Sequence, residues 1–466
     1  MSTNIDMTLP QEVIDYIIDF LHDDKASLLQ CSLVHRTWLD ASYHHIFKEL
    51  DIVVPSAESE DAHKITKFAE FLQAEPRMAA SVRSLELVSH DCMHPIPSYQ
   101  NADDGGRSIL DIADISVILR CLPRIQSLTL CGLVIMVGNR PFDSQFKKEL
   151  KQLQLLDVVT QKNAPLTPPH SSSIVNLLSL FSRVEELVIG VLRPDVLNWS
   201  RTFGNKDIEL SESMAGLTLA SEPLLVTNIN IVGVYMSSTV FPVLRRAVST
   251  SQLETVYWEA APDLLDEFIR EFLSDSRNTC LKELAIGFLP ANPSEYRLQT
   301  LRKSFASLPA FSSLPSFQLT VHGTQPEFPS PDRTVIELLS GLSPQSITKL
   351  SICFRMSSKG FDDFPLAKLD WALMMHAIAR FPDLKTVDIG LVLFGWGGHP
   401  AHGFGDPPSD WRDIFTKMLH AEISRQIGDA TTAIQPGLCT TSSKGMYTYL
   451  EHWVTLSVTP FRSLKV

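Results

Sequence analysis

The chain has 466 residues, more than the ~250–300 at which a single core stops growing, so it must fold as several domains or as a stacked array. Hydrophobic residues make up 44% and charged ones 20%, which excludes wholesale disorder. Its 40 Lys and Arg against 53 Asp and Glu leave a formal charge of −13, an argument against a nucleic-acid surface, which needs clustered cations to displace counterions from phosphates.

No run approaches the ~18 uninterrupted apolar residues of a membrane helix. The opening Met1-Ser2-Thr3-Asn4-Ile5-Asp6 lacks the cationic and apolar regions of a secretory signal. The seven cysteines, at 31, 92, 121, 131, 280, 353 and 439, are odd in number and scattered, with no C-x-x-C pair. A reducing compartment follows, and the expected location is cytoplasmic or nuclear. The sequon Asn198-Trp199-Ser200 is expected to be silent there.

In chain order, the first predicted element is a helix. Thr8-Leu9-Pro10-Gln11 has the form of a capping box with an early proline, and Val13, Ile14, Ile17, Ile18 and Leu21 recur at helical spacing up to about His22. A second short helix is predicted over about Lys25 to Leu33, with Leu28, Leu29 and Leu33 apolar, and a third over about Val34 to Tyr43, with Trp38 and Leu39 inward. Three short helices in some forty residues cannot bury all these side chains among themselves. Leftover apolar surface on so small a unit implies a partner or a neighbouring domain.

Leu9-Pro10-x-Glu12-Val13-Ile14, then Phe20-Leu21, Leu28-x-x-Cys31-Ser32-Leu33-Val34 and Arg36-x-Trp38 resemble an F-box, with Tyr43-His44-His45-Ile46-Phe47 similar to the segment that leads out of many fungal F-box proteins. The resemblance implies docking on the small Skp adaptor of an SCF-type cullin-RING ubiquitin ligase, with the rest of the chain capturing a protein substrate. By the same resemblance Leu9 and Pro10 are the leading contacts, Ile14, Ile17, Leu28 and Val34 are apolar anchors, and Trp38 divides between packing and interface. Glu12 is expected to complement the dipole of the first turn. The alternative is a helical cap shielding the first repeat of an array, with these residues simply core.

Past residue 47 one pattern returns: apolar-x-x-apolar-x-apolar. It stands at Phe47/Leu50/Ile52, Val82/Leu85/Leu87, Ile125/Leu128/Leu130, Val184/Leu187/Ile189, Val226/Ile229/Ile231, Leu253/Val256/Trp258, Leu281/Leu284/Ile286, Ile347/Leu350/Ile352, Leu384/Val387/Ile389 and Trp453/Leu456/Val458. Leu319/Val321 fits with Ser316 in the first position. Because chance alone matches ~9% of windows, the weight rests on two further features. Most central positions recur at solenoid-like intervals. Helix-like segments also precede the pattern, at Ile65–Leu72, Ile115–Cys121, Ile174–Phe181, Leu264–Leu273, Val335–Leu342 and Trp371–Phe381. Helix, turn and strand in repetition resemble a leucine-rich-repeat array, in which only stacked neighbours cover the apolar faces. The usual Asn or Cys after the strand is missing: His90, Leu133, Leu192 and Leu289 stand there. The expected class is therefore α/β, a three-helix module over 1–47 followed by an irregular solenoid over 48–466, with an α/β barrel as the competing arrangement.

Surface loops are expected near 161–173, 323–332 and 395–408, from their Pro, Ser and Gly content. In the third, Trp396, Phe404, His399 and His402 are candidates for a partner-contacting patch. The His pair lacks the ligand set of a zinc site, and Gly395–Gly405 lacks the spacing and the Lys of a phosphate cradle. No G-x-S-x-G, H-E-x-x-H or nucleophilic cysteine arrangement occurs. The expectation is a non-enzymatic substrate adaptor with no metal or cofactor, acting by tethering; a repeat scaffold that binds partners without any ligase is the second reading, and an α/β-barrel enzyme the third.

Overall fold

A computed structural model describes residues 9–56, 64–90, 108–138, 145–156, 158–160, 173–190, 222–233, 244–245, 247–260, 262–273, 280–288, 293–307, 313–322, 330–357, 369–395, 413, 416–419, 421, 434–444 and 447–457. The chain divides into two compact units: Met1–Leu187 with Gly216–Leu224, and Val188–Ala215 with Leu225–Val466. Both are α/β and built on parallel strands, an arrangement compatible with an α/β solenoid.

The first unit opens with helices α1 (Gln11–Phe20), α2 (Lys25–Val34) and α3 (Arg36–Ile46), followed by β1 (Glu49–Val54), α4 (Lys64–Ala74), α5 (Pro76–Ser81) and β2 (Ser84–Ser89). It continues with β3 (Ile109–Asp111), α6 (Ile112–Cys121), β4 (Ser127–Cys131), β5 (Val134–Met136), β6 (Lys148–Leu156), β7 (Val159–Thr160), α7 (Ser173–Leu178) and β8 (Phe181–Gly190). Strands β1, β2, β4, β6 and β8 are neighbours in that order, and β3, β5 and β7 form a small second sheet. Leu50, Leu85, Leu128 and Leu153 stand in one register row, so the recurring leucine is a single stripe across the sheet.

The second unit runs through β9 (Leu224–Gly233), β10 (Val248–Ser249), β11 (Thr255–Ala260), α8 (Pro262–Phe268) with a π-helical turn (Ile269–Leu273), and β12 (Glu283–Phe288). Next come α9 (Glu295–Ser307), β13 (Ser316–His322), α10 (Pro331–Gly341), β14 (Lys349–Ser357), α11 (Trp371–Ile378), β15 (Thr386–Gly395), β16 (Ile434–Lys444) and β17 (Tyr447–Ser457). Strands β9, β11, β12, β13, β14 and β15 follow one another in the sheet, and β11 to β15 pair in parallel register. The helices lie on one face of this sheet. Trp258 meets Phe268 of α8 with ring centroids 4.8 Å apart, Phe305 of α9 meets Phe317 at 6.4 Å, and Phe354 meets Trp371 of α11 at 6.1 Å.

Three expectations need correction. Phe317, not Leu319, shares a row with Leu284 and Leu350, so the pattern there reads Leu314/Phe317/Leu319 and is fully apolar. A repeat was overlooked at Leu150/Leu153/Leu155, which forms β6 and fills the widest gap in the first half of the series. The last copy is of a different kind: β17 follows β16 in an antiparallel hairpin and pairs antiparallel with β15, placing Val387 opposite Leu456.

Stacking also rests on backbone carbonyls at the strand starts. Lys48 O accepts the N–H groups of Arg83 and Ser84 at 2.9 and 3.0 Å, and Arg83 O accepts those of Gln126 and Ser127 at 2.7 and 3.0 Å. Pro315 O does the same for Thr348 and Lys349 at 2.9 and 3.0 Å. One carbonyl thus satisfies two donors of the next repeat, so each turn is completed by its neighbour. The missing Asn finds a local substitute at the end of β1 and β2, where the buried Ser108 hydroxyl donates to Val54 O at 2.6 Å and the Ser89 hydroxyl donates to Ser108 at 3.0 Å. After β4 the chain turns on Gly132, φ 67°, a left-handed conformation that disfavours a side chain. Among the described residues no helix is long and apolar enough to cross a membrane.

Candidate docking face on the N-terminal helices

The three N-terminal helices are separated by two local caps. Pro10 is the N-cap of α1 and makes no side-chain cap bond; Val13 and Ile14 N–H groups bond to its carbonyl at 3.0 and 3.2 Å. The expected capping box is thus replaced by a proline start, and Thr8 lies outside the described residues. Asp24 caps α2 by accepting Ser27 N–H at 3.0 Å and its hydroxyl at 2.6 Å, and those bonds hold the Asp24 carboxyl below the ordinary carboxylate range. His35 caps α3, its ring Nδ1 accepting Thr37 N–H at 3.2 Å. Burial first, then the positive neighbours His45, Arg83 and Lys48, hold the His44 imidazole below its ordinary range.

Ile14, Ile18 and Leu28 form the core of the three helices, with Leu21, Cys31, Trp38, Ala41 and Ile46 packed around them. Polar ties at the edge fix the arrangement: Asp19 Oδ1 accepts from His45 Nε2 at 2.8 Å, and Gln11 Nε2 donates to Thr37 O at 3.4 Å.

That core uses only half of the apolar surface of α1. At ~100° of turn per residue, Ile14, Ile18 and Leu21 form one stripe, while Val13, Tyr16 and Phe20 form another within ~60° of one another. Together with the half-buried Ile17 between them, the apolar arc spans ~200°, twice the ~100° needed to cover one core. The second stripe faces outward: Tyr16 is 74% exposed and Phe20 81%. On α2, Leu28 and Cys31 turn inward, and Leu29, Leu33 and Val34 are exposed, Leu33 at 80%. Leu9 and Val13 are exposed too. Seven of the twelve large exposed hydrophobic residues among those described therefore lie between positions 9 and 34.

The expected contact residues separate on this geometry. Leu9, Pro10 and Val34 lie outside, and Ile17 is half-buried. Ile14 and Leu28 are buried in the module, Leu28 completely, and pack with Ile18 in its core. Trp38 packs on that core, half-buried. Val13, Tyr16, Phe20, Leu29 and Leu33 were overlooked as surface residues, although the width of the apolar arc on α1 was the signal that could have found three of them. Trp396, His399, His402 and Phe404 lie outside the described residues. Among the described residues no group of three or more His, Cys, Asp or Glu side chains gathers to hold a metal ion. The arrangement offers association through apolar contact. Comparison of the sequence with protein-family models gives no match, and comparison with curated proteins gives none.

Proposed function

We propose that the chain is the substrate-recognition subunit of an SCF-type ubiquitin ligase, its N-terminal helices an F-box that docks on the Skp adaptor and its irregular leucine-rich-repeat-like strands the part that captures a target. One observation carries the reading: the module fills its core with Ile14, Ile18 and Leu28 and still presents Leu9, Val13, Tyr16, Phe20, Leu29, Leu33 and Val34 to solvent. So many large exposed apolar side chains on a small helical unit are what a partner covers. The register of the strands, with a helix layer on one face, supports the repeat reading. The mechanism is tethering: one part grips the adaptor, another holds the target, and the local concentration of target lysines near the conjugating enzyme rises with no catalytic group of the chain's own.

Co-purification of the full chain with the Skp adaptor tests this. Wild type is expected to bind, and a Phe20→Ser/Leu33→Ser variant with an unchanged circular dichroism melt is expected to lose binding. Wild type that fails to bind, or a folded variant that still binds, overturns the reading, and the first result favours a repeat scaffold without a ligase.

A further inference from the structure

Along β1, β2, β4 and β6, the residues on the face away from the leucine stripe form three register rows. The first row is Glu49, Ser84, Ser127 and Gln152; the second is Asp51, Glu86, Thr129 and Gln154; the third is Val53, Val88, Cys131 and Leu156. Two rows are therefore acidic and amide-rich, without Lys or Arg, and the third is wholly apolar. Glu49 and Asp51 are exposed and the other members of the first two rows are half-buried, so those two rows are open to solvent; in the third, Val53 and Leu156 are half-buried and Val88 and Cys131 are buried.

The second row holds an unrelieved repulsion. Asp51 and Glu86 stand directly opposite each other on neighbouring strands, a like-charge placement that costs stability. Burial first, and then the Asp51 charge, hold the Glu86 carboxyl above the ordinary carboxylate range, and no cation enters that balance. The nearest basic residues on these strands, Lys48, Arg83 and Lys151, precede the first row by one position. Arg83 directs its guanidinium to Arg124 O at 3.2 Å. Gln152 of the first row donates to Glu186 of β8 at 2.7 Å.

We propose that this strand face of the first unit receives a cationic, amphipathic segment of a protein target, with Lys or Arg set against Asp51 and Glu86 and apolar side chains against the half-buried Val53 and Leu156. The two rows lie two residues apart along each strand, ~7 Å, which matches alternate side chains of an extended segment. A simple metal ion or a polyamine would meet the carboxylates and leave Val53 and Leu156 uncovered, and a nucleic acid would be repelled. The inference rests on reading the repeat strands as the target-binding part of the chain.

The test uses the full chain and fluorescent decapeptides, alternating Lys and Val, Lys and Ser, or Glu and Val, followed by fluorescence anisotropy. The Lys/Val peptide is expected to bind, and Asp51→Asn/Glu86→Gln is expected to weaken it by at least ~10-fold. A control variant with the same charge change at exposed sites elsewhere, Glu70→Gln/Asp383→Asn, is expected to stay within ~2-fold of wild type, since distant surface charges are screened. Equal weakening by both variants, no weakening by either, or equal binding of the Lys/Ser peptide overturns the proposal. Adaptor co-purification of Asp51→Asn/Glu86→Gln separates the two readings: it is expected to persist whether or not the peptide binds, whereas the docking reading fails on the wild-type adaptor experiment alone.

Discussion

Arg355 on β14 and Glu259 on β11 form a buried ion pair across the two strands that lie between them. Strands ~4.8 Å apart place these backbones ~14 Å from each other on a flat sheet, so both side chains must extend and lie along the face. Gly287 and Thr320 stand between Glu259 and Cys353 in the row they cross, and a Cβ on Gly287 would sit at ordinary contact distance, 3.4 Å, from Glu259 Cγ. Tyr257 adds a hydroxyl that donates to Glu259 Oε2 at 2.5 Å.

Breaking such a pair on one side strands a charge in a buried setting. Arg355→Met is expected to cost ~3–5 kcal/mol in chemical denaturation, while the double variant Glu259→Leu/Arg355→Met recovers most of it, because a well-packed apolar replacement removes both desolvation penalties. A single-variant loss under ~1 kcal/mol would mean that water reaches Glu259.

The N-terminal helices make the opposite prediction for neighbouring positions. Ile18 is fully buried, and Ile18→Ala is expected to destabilise the module by ~2–5 kcal/mol. Phe20→Ala, two residues on, removes a larger side chain and is expected to leave the thermal melt unchanged. Equal losses at both positions would place Phe20 inside a core.

Glu86 has its carboxyl above the ordinary range, so its contribution to stability is fully present at acid pH and is lost as pH rises through the folded value. At neutral pH the ionised group therefore opposes folding. Glu86→Gln is expected to raise stability by ~0.2–1 kcal/mol at pH ~7, scaled to a half-exposed cross-strand pair, and to give no gain at pH ~4, where the wild-type group is protonated. A gain of the same size at both pH values would trace to packing instead of charge.

Two glycines of the second unit should respond differently to a methyl group. At Gly341, the end of α10, a Cβ would meet Arg302 O of α9 at 2.7 Å, so Gly341→Ala must push two helices apart and is expected to cost ~1–3 kcal/mol. At Gly287 the nearest atoms lie at ordinary contact distance, and Gly287→Ala is expected to be tolerated. Thermal melts of the two variants compare them directly.

The strands were legible in the sequence because each must bury the same three apolar positions against a helix layer, and most bounds fall where that pattern stands. Two failures have physical causes. In β13 the pattern alone does not separate Phe317 from Leu319, since the strand alternates through Phe317, Leu319 and Val321 and a shift of two residues keeps every side chain on its own face. Helix α9 is not legible in the sequence because its buried residues, Leu298, Leu301 and Phe305, are only three among thirteen and the remainder, Tyr296 and Ala306 apart, is charged or polar. At the docking face the sequence announced apolar helices and left open which stripe turned inward. Ile14 and Val13 are adjacent and equally greasy, and only the packing of α2 and α3 against α1 decides between them.

The reversed hairpin of β17 and β16 sets a limit on growth of the second unit. The outermost described strand, β16, carries Pro436, which has no N–H to offer, and its pairing slips between Pro436 and Cys439. Such a border gives a flat strand from another molecule a poor template and so guards against end-to-end polymerisation.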